Sequence, residues 1–241
     1  EDDDEESVLN VNVGLLGHVD SGKTTLARAL SSEASTAAFD KSPQSRARGI
    51  TLDLGFSAFR VRAPVPRGVP GFPRARTVQF THVDCPGHAS LVRTIIGGAQ
   101  TVDTLLLVVD ATRGFQPQTA EGLVLGTLTA GRLVVSLTKT DLLAPATRAA
   151  ALARATARVA HVLARTRFAG APVVPVCARS GGPNGMSSGD SGDDKNNGIA
   201  ALREALLASV DARVAAARAR ARAAPLLVAV DHCFAVRGQG T

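Results

Sequence analysis

Apolar positions along the chain gather into six short runs, with stretches of helical spacing between them. Asn10 to Gly17, NVNVGLLG, alternates and then runs apolar, as a strand entering a sheet does. TLDLGFSAF (51–59), TVQFTHVD (77–84), TLLLVVD (104–110), RLVVSLT (132–138) and PVVPVCA (172–178) also read as strands, several apolar enough for burial on both faces. Helices are expected over Thr24–Ser32, where Leu26 and Leu30 share a face, and over Ala89–Ala99, Thr119–Ala130, Ala146–Thr166 and Ile199–Val214. Strands alternating with helices predict an α/β fold, doubly wound on a mostly parallel six-stranded sheet, with ligands at the carboxyl ends of the strands.

Four stretches fall outside the pattern. Residues 1–9 open on the acidic run EDDDEES and read as a tail. Residues 62–76, RAPVPRGVPGFPRAR, carry too much proline for a sheet interior, and 180–198, SGGPNGMSSGDSGDDKNNG, are of low complexity; both read as insertions into a domain spanning 10–224. Residues 225–241, PLLVAVDHCFAVRGQGT, begin a strand-like unit, expected to be the first strand of a truncated β-barrel domain.

Composition narrows the class. No apolar run reaches the roughly 18 residues of a membrane helix, and no signal peptide is visible; the expectation is a cytoplasmic protein with no membrane partner. Cys85, Cys177 and Cys233 are far apart and odd in number, which fits a reducing compartment. Net charge is +6, which permits contact with nucleic acid. Arg154, Arg158, His161 and Arg165 share one face of a helix whose Leu152, Val159 and Val162 are assigned to the core. That basic face suits either a solvated surface or an RNA-facing patch. With no Tyr or Trp, a base-stacking platform is not expected.

GHVDSGKT, Gly17 to Thr24, carries the chemistry. It follows a strand, opens a helix and has the form G-x-x-x-x-G-K-[ST], in which backbone N–H groups wrap a phosphate, the lysine reaches the outer phosphates and the hydroxyl meets Mg²⁺. Basic residues here are nearly all arginine, yet Lys23 is lysine, whose compact ammonium bridges phosphates better than a planar fork. In DCPGH, Asp84 can hold Mg²⁺ through water, and Gly87 lets its N–H approach a γ-phosphate. In RGIT, Thr51 can join Thr24 as a Mg²⁺ ligand. Loss of the γ-phosphate would release both loops.

Base choice falls to TKTD, Thr138 to Asp141. The Asp141 carboxylate can accept the N1–H and amino group of guanine, whereas adenine would face it with an acceptor, a mismatch worth about 10⁴ to 10⁵ in comparable sites. Lys139 would lay its stem over the base, and in CAR, Cys177 to Arg179, the Ala178 N–H can meet guanine O6. A metal reading exists for His82, Cys85 and His88, spaced three apart, although Pro86 and Gly87 break the element and no fourth ligand is evident.

Together GHVDSGKT, RARGIT, DCPGH and KTD resemble the G domain of the translational GTPases. AFDKSPQSRARGITLDLGFSAF, HASLVRTIIGGAQTVD and VDHCFAVRGQGT most resemble its eukaryotic selenocysteine-specific branch. The resemblance implies a P-loop GTPase with GTP/GDP and Mg²⁺ as cofactors. Its implied partners are the ribosome, selenocysteinyl-tRNA and RNA-associated selenocysteine-insertion factors. Asp20, Ser21, Gly22, Lys23, Thr24 and Thr25 would form the phosphate loop. His88 would orient the hydrolytic water, held back by Val19 and Ile50 until the ribosome acts. General elongation factors, initiation-factor GTPases and a non-hydrolysing binding module are the alternatives. The chain departs from the family at Thr138, where asparagine is usual, with a side-chain bond to base or phosphate loop expected to be lost, and at Arg179, where lysine is usual.

Overall fold

Strands with apolar residues at every position can be buried only if both faces of their sheet are covered. The computed structural model, which describes residues 8–34, 55–62, 77–84, 102–178 and 198–210, has that form. β1 (Val8–Gly17), α1 (Lys23–Leu30), β2 (Glu33–Ala34), β3 (Gly55–Arg62), β4 (Thr77–Asp84) and β5 (Thr104–Asp110) are followed by α2 (Pro117–Thr129), β6 (Arg132–Thr138), α3 (Arg148–Leu163), β7 (Val173–Pro175) and α4 (Ile199–Ala208). The sheet order is β2-β3-β4-β1-β5-β6-β7. All six strands read from the sequence are present. The seventh, β2, is a two-residue edge too short to leave a periodic signal.

β4, β1, β5, β6 and β7 are mutually parallel, while β3 runs antiparallel to β4 and to β2. β1 lies between β4 and β5, the point at which the chain order reverses and where open α/β sheets place their ligands. The carboxyl ends Gly17, Asp84, Asp110, Thr138 and Pro175 therefore open onto one edge of the sheet.

Period-two alternation splits the core in two. Leu9, Val11, Val13 and Leu15 of β1, with Leu106, Val108 and Val134, pack against Leu26, Ala27 and Leu30 of α1 and Ile199, Leu202 and Leu206 of α4. Leu105, Leu107, Val109, Leu133, Val135 and Leu137 point the other way, toward Leu123 of α2 and Ala155, Val159 and Leu163 of α3. Each fully buried leucine contributes roughly 1.5–3 kcal/mol. The buried stripe of α3 is thus one step round from the face read in the sequence. Leu152 is partly buried and Val162 is exposed, because 3.6-residue spacing from Val159 continues at Leu163. Arg154, Arg158, His161 and Arg165 are exposed as expected.

Among the described residues no helix is long and apolar enough to cross a membrane. The helix expected at 89–99 and the barrel strand expected at 225–241 lie outside the described residues, as does most of the acidic tail and of the two insertions.

Candidate functional site

The first loop at the carboxyl edge runs from Gly17 to Lys23. Gly17 has φ 155°, and a Cβ there would collide with the Val108 carbonyl oxygen, so only glycine lets the loop leave β1 so close to β5. Gly22 caps α1 at φ 92°, with no side-chain cap and no acidic residue in the first turn. A helix N-terminus without its own carboxylate is left to an external anion. Asp20 is also left-handed, φ 60°, one of two such non-glycine residues among those described; the other is Lys139, φ 58°. Strained backbone of this kind, about 1 kcal/mol or more each, sits at the two loops that carry the motifs.

Lys23 is buried, and its Nζ donates to the Gly17 and His18 carbonyls at 3.0 and 2.8 Å, which turns the ammonium over the loop. Ser21 Oγ is buried with no partner among the described residues. Thr24 is half-buried and Thr25 exposed on the first turn of α1. Glycine clearance, a buried ammonium, an uncapped helix and a hydroxyl with no partner among the described residues together fit a phosphate group, and Thr24, on the first turn of α1, stands where a Mg²⁺ ligand would be needed.

The second loop follows β6. Thr138 is buried, and its hydroxyl donates to the Ser21 carbonyl at 2.6 Å and lies 3.2 Å from the Val109 carbonyl. The tie to the phosphate loop expected to vanish with asparagine is therefore made by threonine. β5 and β6 pair in register through Asp110 and Thr138, which sets the same hydroxyl near the Val109 carbonyl. Lys139 Nζ forms an ion pair with Asp110 Oδ2 at 2.9 Å. Asp141, two residues on, is exposed. Cys177 and Ala178 follow β7 beside this loop, with the Val176 N–H still bonded to the Leu137 carbonyl at 2.7 Å.

Three residues of this edge escaped the sequence reading. Asp110 closes β5, is 5% exposed, and accepts the Thr112 N–H at 2.8 Å and the Thr112 hydroxyl at 2.6 Å as well as Lys139. Burial raises its carboxyl pKa, but the bonds from Thr112 and Lys139 outweigh that and hold it below the ordinary value. Gln118, at the start of α2, accepts the Val19 N–H at 2.9 Å. The available signal for Asp110 was a carboxylate directly after the apolar run Leu105 to Val109.

His82 turns away from this edge. Its ring is fully buried in β4, Nδ1 lies 3.4 Å from Ser57 Oγ, the Phe59 ring is 5.2 Å away, and Nε2 has no partner among the described residues. Burial, helped by Arg203, lowers its pKa from 6.5 to about 3. Among the described residues no group of His, Cys, Asp and Glu could hold a metal ion, though Cys85 and His88 lie outside them. Thr51, Gly87, His88 and Arg179 are also outside, and Asp84 is placed only as the last residue of β4.

Residues 9–233 match the family model of the elongation factor Tu GTP binding domain. The chain belongs to that family. Within this GTP-binding domain family it is 52% identical over 233 residues to the mouse selenocysteine-specific elongation factor, covering 97% of the chain and 38% of that protein. It is 44% identical over 133 residues to the selenocysteine-specific elongation factor of Methanocaldococcus jannaschii, covering 55% of the chain and 25% of that protein. The chain thus spans well under half the length of these relatives. The fold is shared with the bacterial selenocysteine-specific elongation factor EF-Sec (TM-score 0.61, 24% identity, 84% of this chain and 29% of that one). It is also shared with SelB of Methanococcus maripaludis in complex with the GTP analogue GppNHp (TM-score 0.57, 24% identity, 84% of this chain and 34% of that one).

Proposed function

We propose that the chain is the Mg²⁺-dependent GTPase domain of a selenocysteine-specific elongation factor, acting in the cytoplasm. In this reading the GTP-bound state serves delivery of selenocysteinyl-tRNA to the ribosome, together with RNA-associated insertion factors. The observation that carries the chemistry is the tie between phosphate loop and base loop, the Thr138 hydroxyl donating to the Ser21 carbonyl. Two loops that must grip opposite ends of one nucleotide are fixed to each other before it arrives. The choice of cargo rests on likeness to the mouse relative over 97% of the chain.

Each residue then has a task. The ammonium of Lys23 and the N–H groups opening α1 neutralise phosphate charge, and Mg²⁺, held by Thr24 and Thr51 with Asp84 acting through water, would supply further neutralisation. Gly87 offers its N–H to the outermost phosphate. Asp141 and the Ala178 N–H, in the segment from Cys177 to Arg179, read the guanine edge. His88 orients the attacking water, with Val19 and Ile50 holding its ring aside.

Single-turnover GTP hydrolysis with and without ribosomes tests this. Slow basal turnover is expected, with any stimulated part, which reaches ~10³ to 10⁵ in related systems, lost in His88→Ala. Stimulated turnover that survives His88→Ala would remove His88 from its role, and chain that turns over ATP as readily as GTP would overturn the reading.

A further inference from the structure

We infer that Asp110 is a positioning residue of the guanine pocket, one that sets where the Lys139 side chain lies before nucleotide binds. The inference rests on the guanine-nucleotide reading and gives a role to a residue that lies outside the motifs.

The arrangement is a chain of fixed groups. β5 delivers Asp110 to the carboxyl edge in register with Thr138, one residue before Lys139. The turn after β5 folds Thr112 back, so that its N–H and hydroxyl both bond Asp110 Oδ1, at 2.8 and 2.6 Å. With that oxygen held, Oδ2 is left to face Lys139 Nζ at 2.9 Å. The carboxylate is 5% exposed and the lysine side chain 27% exposed, so the pair is sheltered from the screening that makes surface ion pairs weak. Lys139 itself leaves β6 in a left-handed conformation, φ 58°, which turns its side chain back along the strand ends toward β5.

A lysine, one of the side chains richest in rotamers, has that freedom to lose when a base lies against its stem. Anchoring the ammonium on Asp110 removes that freedom in advance, so less is lost on binding. Asp110 therefore acts on nucleotide affinity through Lys139 alone. It touches neither base nor phosphate in this account and is not catalytic.

The test is a double-mutant cycle on the dissociation constant of a fluorescent GDP analogue, with thermal unfolding measured alongside. Asp110→Asn keeps an acceptor for Thr112 and removes the charge facing Lys139. A rise of about 10-fold in the dissociation constant is expected in the parent, and a change under about 2-fold when Asp110→Asn is added to Lys139→Ala. A merely structural role would weaken binding equally in both backgrounds, and that result, or an unchanged constant in the parent, would overturn the inference. Should Asp110→Asn not fold, Thr112→Val removes the hydroxyl bond to Oδ1, leaving the backbone N–H bond and the carboxylate charge in place. A rise of about 3-fold that vanishes in the Lys139→Ala background supports the inference, and one that persists there contradicts it. If the parent chain does not bind the analogue at all, it is the guanine-nucleotide reading that fails.

Discussion

At the scale of single residues, Thr138 is the most instructive. Its hydroxyl is committed to the Ser21 carbonyl of the phosphate loop, with the Val109 carbonyl also in reach. Thr138→Val should weaken GDP binding about 10-fold and lower stability by about 1–2 kcal/mol, since the Ser21 carbonyl loses its donor; Thr138→Ser should stay within about 2-fold of the parent. Fluorescence titration and urea unfolding of both variants check this. Asp141→Asn should cost guanine affinity ~10²-fold or more while leaving unfolding unchanged, because the side chain is exposed in the unliganded chain.

At the scale of elements, the strands were readable because period two and continuous apolar runs are strong signals, and the phosphate loop because its glycines and lysine are fixed by geometry. Gly17→Ala should destabilise by about 2 kcal/mol or more, since the new methyl meets the Val108 carbonyl, and should abolish nucleotide binding. What the sequence hid is contact across elements. No local pattern links Gln118 to Val19, 99 positions away, or Thr138 to Ser21, 117 away; only the sheet order brings them together. The edge strand β2 was hidden for the opposite reason, being too short to have a period. The turn of α3 toward Leu163 rather than Val162 shows how alanine-rich helices blur their own face, since alanine marks neither side. Val159→Ala should therefore cost about 2 kcal/mol in urea unfolding, and Val162→Ala under about 0.5.

At the scale of the molecule, stability should carry the mark of one buried imidazole. His82 is neutral in the folded chain down to about pH 3, whereas in the unfolded chain it takes up a proton near pH 6.5. Above pH 6.5 neither state is protonated there and His82 adds no pH dependence. Below it the unfolded state gains a proton that the folded state refuses, so stability falls with pH across that window, by up to about 1.4 kcal/mol per pH unit from this group. His82→Gln should flatten the slope of unfolding free energy between pH 6 and pH 4 relative to the parent. Asp110 adds in the same direction lower down, since its carboxyl pKa lies below the ordinary value and the stability it contributes disappears as the folded group is protonated.

The central claim is that a phosphate loop and a base loop, tied by Thr138, form one guanine-nucleotide site. Equilibrium binding of fluorescent GTP, GDP and ATP, with and without Mg²⁺, tests it most directly. The account predicts micromolar or tighter binding of both guanine nucleotides, with ATP excluded even at millimolar concentration and GTP affinity raised by Mg²⁺. ATP binding as tightly as GTP, or no binding of either guanine nucleotide, would contradict it.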